Sequence, residues 1–230
     1  AYTTIDDPEA YFQVKTYTGD GTDPRTITLD GDTDMQPDFI WHKNLTDAGY
    51  RHVLVDSVRG VTEKLRTDTN AAEETLDAKI MSFVSDGFTV DDNGATNVSA
   101  KAYVAWCWKA GTTGSGTTTG TGTGKAYSYS VSTTSGFSIV KYLGNGSAGH
   151  TIPHHLGVVP DMITVKNLSS AGEWRSIFPN VNTANYNLNF NATNPWNDGT
   201  EFNDTMPTTS VFTLSTAGDT NTDDSSYIAY

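Results

Sequence analysis

Apolar side chains recur along this chain in short runs that keep being stopped by Gly, Asn and Asp. Residues 11–17 alternate, with Phe12, Val14 and Thr16 on one face and Tyr11, Lys15 and Tyr17 on the other. That period of two is the pattern of a strand. Further short segments follow at 26–29, 39–42, 51–55, 80–83, 88–90 and 102–108. Turn formers such as Gly19-Asp20-Gly21, Asp30-Gly31-Asp32 and Asp91-Asp92-Asn93-Gly94 separate them. Apolar segments broken by turns every 8–12 residues or so are the mark of a β-sandwich or jelly roll. A competing signal covers 70–82, where Asn70 would cap a helix, Glu73 and Glu74 suit its first turn, and Leu76 and Ile80 share a face.

The pattern then repeats. Pro37-Asp38-Phe39-Ile40 returns as Pro160-Asp161-Met162-Ile163, an offset of 123. Gly19-Asp20-Gly21 matches Gly144-Asn145-Gly146, Leu54 matches Ile177, and Leu65 matches Leu188. Phe88-Thr89-Val90 matches Phe212-Thr213-Leu214, and Tyr103-Val104-Ala105-Trp106 matches Tyr227-Ile228-Ala229-Tyr230. All offsets fall between 123 and 125. A repeat this long is a domain and not a solenoid unit. Its second copy opposes the helix reading, because Asn191-Ala192-Thr193-Asn194-Pro195-Trp196 cannot form a comparable helix.

The reading is therefore all-β: two tandem β-sandwich domains, jelly-roll or lectin-like, joined by a Gly/Thr linker. The first spans 1–110 and the second 127–230, the latter cut at its last strand. Residues 111–126 lie between them, and Gly111 to Gly124 holds no apolar side chain. Such a stretch is expected to be a flexible linker or an extended surface strap.

Composition narrows the function. Net charge is −13, which disfavours nucleic acid and anionic membrane surfaces. No run of about 20 apolar residues points to membrane insertion. The one cysteine, Cys107, sits between Trp106 and Trp108 and reads as core. No nucleophile elbow, phosphate loop, dinucleotide fingerprint or His-Glu-x-x-His occurs, so no catalytic residue, cofactor or metal is assigned. His150, His154 and His155 cluster without zinc spacing and read as a polar strand edge. The Asp-rich loops lack an EF-hand spacing and read as solvated turns. Of the five tryptophans, Trp41, Trp106 and Trp108 lie in apolar strands; Trp174 and Trp196 lie in polar surroundings and are the candidates for a ligand or partner contact.

Several strings together carry a family resemblance. They include Ile5-Asp6-Asp7-Pro8-Glu9-Ala10-Tyr11, Gln36-Pro37-Asp38-Phe39-Ile40-Trp41-His42-Lys43, Val55-Asp56-Ser57-Val58-Arg59-Gly60, Ser82-Phe83-Val84-Ser85-Asp86-Gly87-Phe88 and Tyr103-Val104-Ala105-Trp106-Cys107-Trp108. Gly136-Phe137-Ser138-Ile139-Val140, His155-Leu156-Gly157 and Pro160-Asp161 resemble its next copy. The chain resembles a repeat domain of unknown function that recurs in structural and tail-fibre-like proteins of bacteriophages, especially those of marine bacteria. The resemblance implies a β-sandwich in a virion or other extracellular structural role; the family carries no assigned activity, and the chain is not expected to be an enzyme. The expected partners are further copies of the chain, other virion proteins and a host-surface glycan. The alternatives are a carbohydrate-binding surface module and a polysaccharide-degrading enzyme. Phe178-Pro179-Asn180 replaces Asp-Ser-Val-Arg-Gly in the second copy, so whatever that loop does is expected in the first copy alone.

Overall fold

The computed structural model describes residues 5–75, 79–181, 183 and 186–230. The chain is nearly all β and divides into two compact units. Among the described residues no helix is long and apolar enough to cross a membrane.

The first unit comprises Ala1–Arg66 and Glu74–Gly111. Its strands are β1 (Phe12–Thr18), β2 (Arg25–Thr28), β3 (Phe39–Asn44), β4 (Val53–Asp56), β5 (Gly60–Leu65), β6 (Glu74–Thr75), β7 (Ile80–Val84), β8 (Gly87–Val90) and β9 (Ala102–Trp108). They form a six-stranded sheet, β1-β9-β3-β4-β5-β6, and a three-stranded sheet, β2-β8-β7. Ile40, Val53, Val55, Tyr103 and Cys107 from the large sheet pack with Ile27, Ile80, Phe88 and Val90 from the small one. That is a sandwich core. Burial pushes the Cys107 thiol up to about 12.

The second unit comprises Thr67–Glu73 and Thr112–Tyr230. Its strands are β10 (Thr112–Thr117), β11 (Thr119–Gly120), β12 (Ala126–Ser132), β13 (Phe137–Leu143), β14 (His150–Pro153), β15 (Ile163–Asn167), β16 (Arg175–Ile177), β17 (Tyr186–Asn189), β18 (Asn197–Asp198), β19 (Val211–Leu214) and β20 (Ser226–Ala229). A single turn, α1 (Gly218–Asn221), precedes β20. The large sheet runs β10-β12-β13-β20-β15-β16-β17-β18 and the small one β11-β14-β19. From β13 to β18 this order reproduces the large sheet of the first unit. Val140, Ile163, Val165 and Ile177 meet Ile152, Phe212 and Leu214 in its core.

Two expectations are corrected, one on the linker and one on register. The Gly/Thr stretch is no free linker: β10 pairs with β12 along six residue pairs and β11 pairs with β14. The glycines leave room for the tyrosines as they are placed: a Cβ at Gly114 would lie 2.6 Å from the Tyr129 hydroxyl and one at Gly116 2.8 Å from the Tyr127 hydroxyl. The tyrosine rings cover the glycines, as aromatics do at edge glycines. The described part of 70–82 holds strands β6 and β7 and no helix, on the side of the second copy's pattern and against the competing helix signal; Leu76 lies outside the described residues. Of the two faces of β1, the buried one is that of Gln13 and Tyr17, while Phe12, Val14 and Thr16 are exposed. The correction of register is that Ile40 pairs with Val55 whereas Ile163 pairs with Ile177, so Ile177 corresponds to Val55 and not to Leu54. A one-residue slip exchanges the two faces of a strand.

The copies share one polar clasp. Tyr17 donates to the Thr96 carbonyl at 2.5 Å, and Tyr142 to the Thr220 carbonyl at 2.8 Å. Tyr103 accepts from the Val98 N–H and donates to the Gly94 carbonyl; Tyr227 does the same with Thr222 and Gly218. Asn44 caps the N–H groups of Thr46 and Asp47, and Asn167 those of Ser169 and Ser170. A Cβ at Gly19 would lie 2.1 Å from the Val98 carbonyl oxygen, and one at Gly144 2.2 Å from that of Thr222. Buried donors and acceptors that lose a partner cost about 1–3 kcal/mol each, which ties these residue types to the fold.

One loop is specific to the first copy. The Asp56 carboxylate accepts from the N–H groups of Val58 and Arg59 and from Arg59 Nε at 2.6 Å. Both side chains are fully buried. The Asp-Ser-Val-Arg-Gly motif is thus a hairpin lock between β4 and β5.

Candidate functional site

The two tryptophans singled out from sequence are placed differently. Trp174 is 1% exposed and stacks on Tyr230 with centroids 6.4 Å apart. Its indole N–H donates to the Thr69 carbonyl, within the segment Thr67–Glu73 that belongs to the second unit. Such a ring has no open face for a ligand. Trp196 is half-buried and meets Phe178 edge-on at 5.5 Å. The structure does not bring the two into one site.

His150 and His154 are satisfied locally, whereas the buried Nε2 of His155 has no hydrogen-bond partner among the described residues. His150 is bonded through Nδ1 to Asn221 and through Nε2 to Thr118. His154 bonds the Thr208 carbonyl, and His155 stacks on Tyr129 at 3.8 Å. Desolvation lowers the pKa of all three. The acidic loops engage their own cations: Asp223 and Asp224 hold Lys125, and Asp219 holds Arg175. Among the described residues no group of three His, Cys, Asp or Glu side chains is placed to hold a metal ion.

What stands out is a cavity of about 440 Å³ in the first unit. Among the described residues its walls carry four cations, Arg51, Lys64, Arg66 and Lys79, and one carboxylate, Glu74. This is a local reversal in a chain of net charge −13. Lys64 and Arg66 project from β5 and its exit, and both meet Glu74 of β6, at 3.3 and 3.0 Å. Lys79 lies 3.9 Å from Asp91. Lys64 is 8% exposed, and desolvation lowers the pKa of its ammonium. Tyr50, His52 and Asn93 complete the wall. The Tyr50 ring lies over Gly94, where a Cβ would fall 2.0 Å from its hydroxyl, and its carbonyl accepts from Lys43.

Residues 7–230 match the model of a family described as a domain of unknown function, DUF7483. The chain belongs to that family. No curated protein and no solved structure matches it. The DUF7483 match runs across both copies, which makes the second copy an internal control for the pocket of the first.

Strand pairing fixes the equivalences. His42 pairs with Val53 and Val165 with Arg175, so Val53 corresponds to Arg175. Leu54 pairs with Leu65 and Ser176 with Leu188, so Lys64 corresponds to Asn187 and Arg66 to Asn189. The Asp91 N–H bonds the Lys79 carbonyl as the Ser215 N–H bonds that of Glu201, so Lys79 corresponds to Glu201. Gly94 and Gly218 hold equivalent tyrosines, so Ala95 corresponds to Asp219. In the second copy these positions close on themselves. Arg175 pairs with Glu201 at 3.2 Å and Asp219 at 2.7 Å and bonds both Asn187 and Asn189. In the first copy the central Arg becomes Val53, both acids are gone, and cations stand at three of the five positions. Sequence reading missed this because the signal appears only once the register is corrected, with Glu201 offset by 122 from Lys79.

Proposed function

We propose that the chain is a structural module of a bacteriophage virion, as a tail fibre, appendage or capsid-decorating subunit, architectural and host-adhesive. The observation that carries this reading is the duplicated clasp. Two copies keep the residues that hold the sandwich together and differ in the loops and pocket they present. A module repeated for its fold, with its exposed features free to vary, suits an assembly built from many copies. The family resemblance supplies the virion setting. The alternative of a carbohydrate-binding surface module is favoured by the pocket of the first unit, and it is compatible with an adhesive role on a particle.

The test is the mass of the native assembly by light scattering after size exclusion, together with co-sedimentation on purified particles. A trimer or larger species that travels with particles supports the reading. A strict monomer absent from particles overturns it.

A further inference from the structure

We propose that the cavity of the first unit binds an acidic saccharide, a sugar ring bearing a carboxylate or sulfate, with the oxyanion held among Lys64, Arg66 and Lys79. The proposal deepens the adhesive part of the function above. It is tested on the chain alone, so its failure is distinguishable from failure to assemble.

The same five backbone positions occur twice in one chain. In the second copy an arginine, two carboxylates and two amides satisfy one another. In the first copy three of the five are cationic; one acid from β6 bridges two of them, and the third, Lys79, lies 3.9 Å from Asp91, which stands where the second copy has Ser215. Holding Lys64 nearly out of water carries a desolvation penalty that an incoming oxyanion offsets. Arg66 offers a planar fork to a carboxylate or sulfate, and the two lysines add point charges.

Size and wall chemistry narrow the ligand further. About 440 Å³ is within the range of small-molecule sites. Tyr50, 41% exposed, supplies an aromatic surface at the rim, fixed from behind by Gly94. Asn93 and the Tyr50 hydroxyl offer hydrogen bonds to sugar hydroxyls. A polyanion is disfavoured: the chain as a whole is strongly acidic, and the cations line a pocket instead of a stripe along which a phosphate backbone could run.

The experiment is calorimetric titration of the full chain with D-glucuronate, glucose 6-sulfate, glucose and sodium sulfate. Glucuronate and glucose 6-sulfate are expected to bind at least about tenfold tighter than glucose, the value of one charge-assisted hydrogen bond. Lys79→Glu and Ala95→Asp install the second copy's residues and are each expected to weaken binding by about tenfold or more. Lys79→Gln tests the same point with no new charge. Lys141→Glu, the same charge change in the second unit, leaves binding unaltered. Absence of binding by both acids overturns the proposal. Equal losses in Lys141→Glu and Lys79→Glu overturn the site. Sodium sulfate binding as tightly as glucose 6-sulfate overturns the saccharide assignment.

Discussion

The two copies differ at one buried position in a way that fixes a pH dependence. His42 is fully buried in the first core, ringed by Tyr17, Tyr103 and Phe88. The Tyr17 hydroxyl proton goes to the Thr96 carbonyl, so His42 Nε2 must carry a proton and donate to Tyr17 at 2.8 Å. Nδ1 has no hydrogen-bond partner in the described structure. A second proton there would put a cation in the core, and desolvation pushes the pKa from 6.5 down to about 3. The folded value lies below the unfolded one, so as pH drops below 6.5 the unfolded chain takes up a proton that the folded chain refuses. Stability is lost between pH 6.5 and pH 3 with a limiting slope of about 1.4 kcal/mol per pH unit. From about pH 7.5 to about pH 5.5 the loss from His42 amounts to about 1.4 kcal/mol. Carboxylates titrate nearby, so the comparison is with His42→Val, the residue type the second copy uses at Val165. Tyr17 then keeps its bond to Thr96, as Tyr142 keeps its bond to Thr220. Urea unfolding of both proteins at the two pH values, followed by tryptophan fluorescence, gives the difference directly. Parallel stability profiles for the native chain and His42→Val would refute a neutral buried imidazole.

Two further substitutions check the corrected placements. Gly114→Val drives a side chain into Tyr129, and the overpacking is expected to cost about 1–3 kcal/mol, or several degrees in Tm; Gly49→Ala, with open space at its Cβ, leaves Tm unaltered. Equal melting of the two would show that β10 is not seated against Tyr129. Trp174→Ala removes a buried ring and is expected to cost about 3–5 kcal/mol in denaturant unfolding; a variant of native stability would return Trp174 to the surface.

Much of the fold was legible because strand pattern and turn chemistry agree along the chain. The Gly-x-Gly turns, the paired tyrosines and the capping asparagines are positions where a backbone approach or a buried hydrogen bond allows few residue types. They therefore stayed in step across the duplication. What failed depends on three-dimensional register. Gly111 to Gly124 has no apolar side chain, and composition alone cannot show that glycines in β10 make room for the rings of Tyr127 and Tyr129. Alternation in β1 revealed a strand but not its inner face, because the buried member at one position is Gln13, bonded to Glu9 and Thr33 carbonyls and to the Gly31 N–H. Trp174 reads as a surface residue from its polar neighbours in sequence, whereas a distant segment at Thr69 covers it.

The candidate site was illegible for a related reason. Lys64, Arg66 and Lys79 are scattered among ordinary strand and turn residues and form no motif. Each becomes informative against its counterpart, and the counterparts of Val53 and Lys79 lie at an offset of 122 while those of Lys64 and Arg66 lie at 123. The contrast separates two kinds of change after duplication. Clasp positions keep their residue types because each loss strands a buried polar group. Pocket positions face a cavity, where one charge arrangement can be exchanged for another provided its ions find partners. The second copy found them within itself, through Arg175, Glu201 and Asp219. The first copy pairs Lys64 and Arg66 with Glu74 and Lys79 with Asp91, and the proposed ligand oxyanion would join these acids among the three cations.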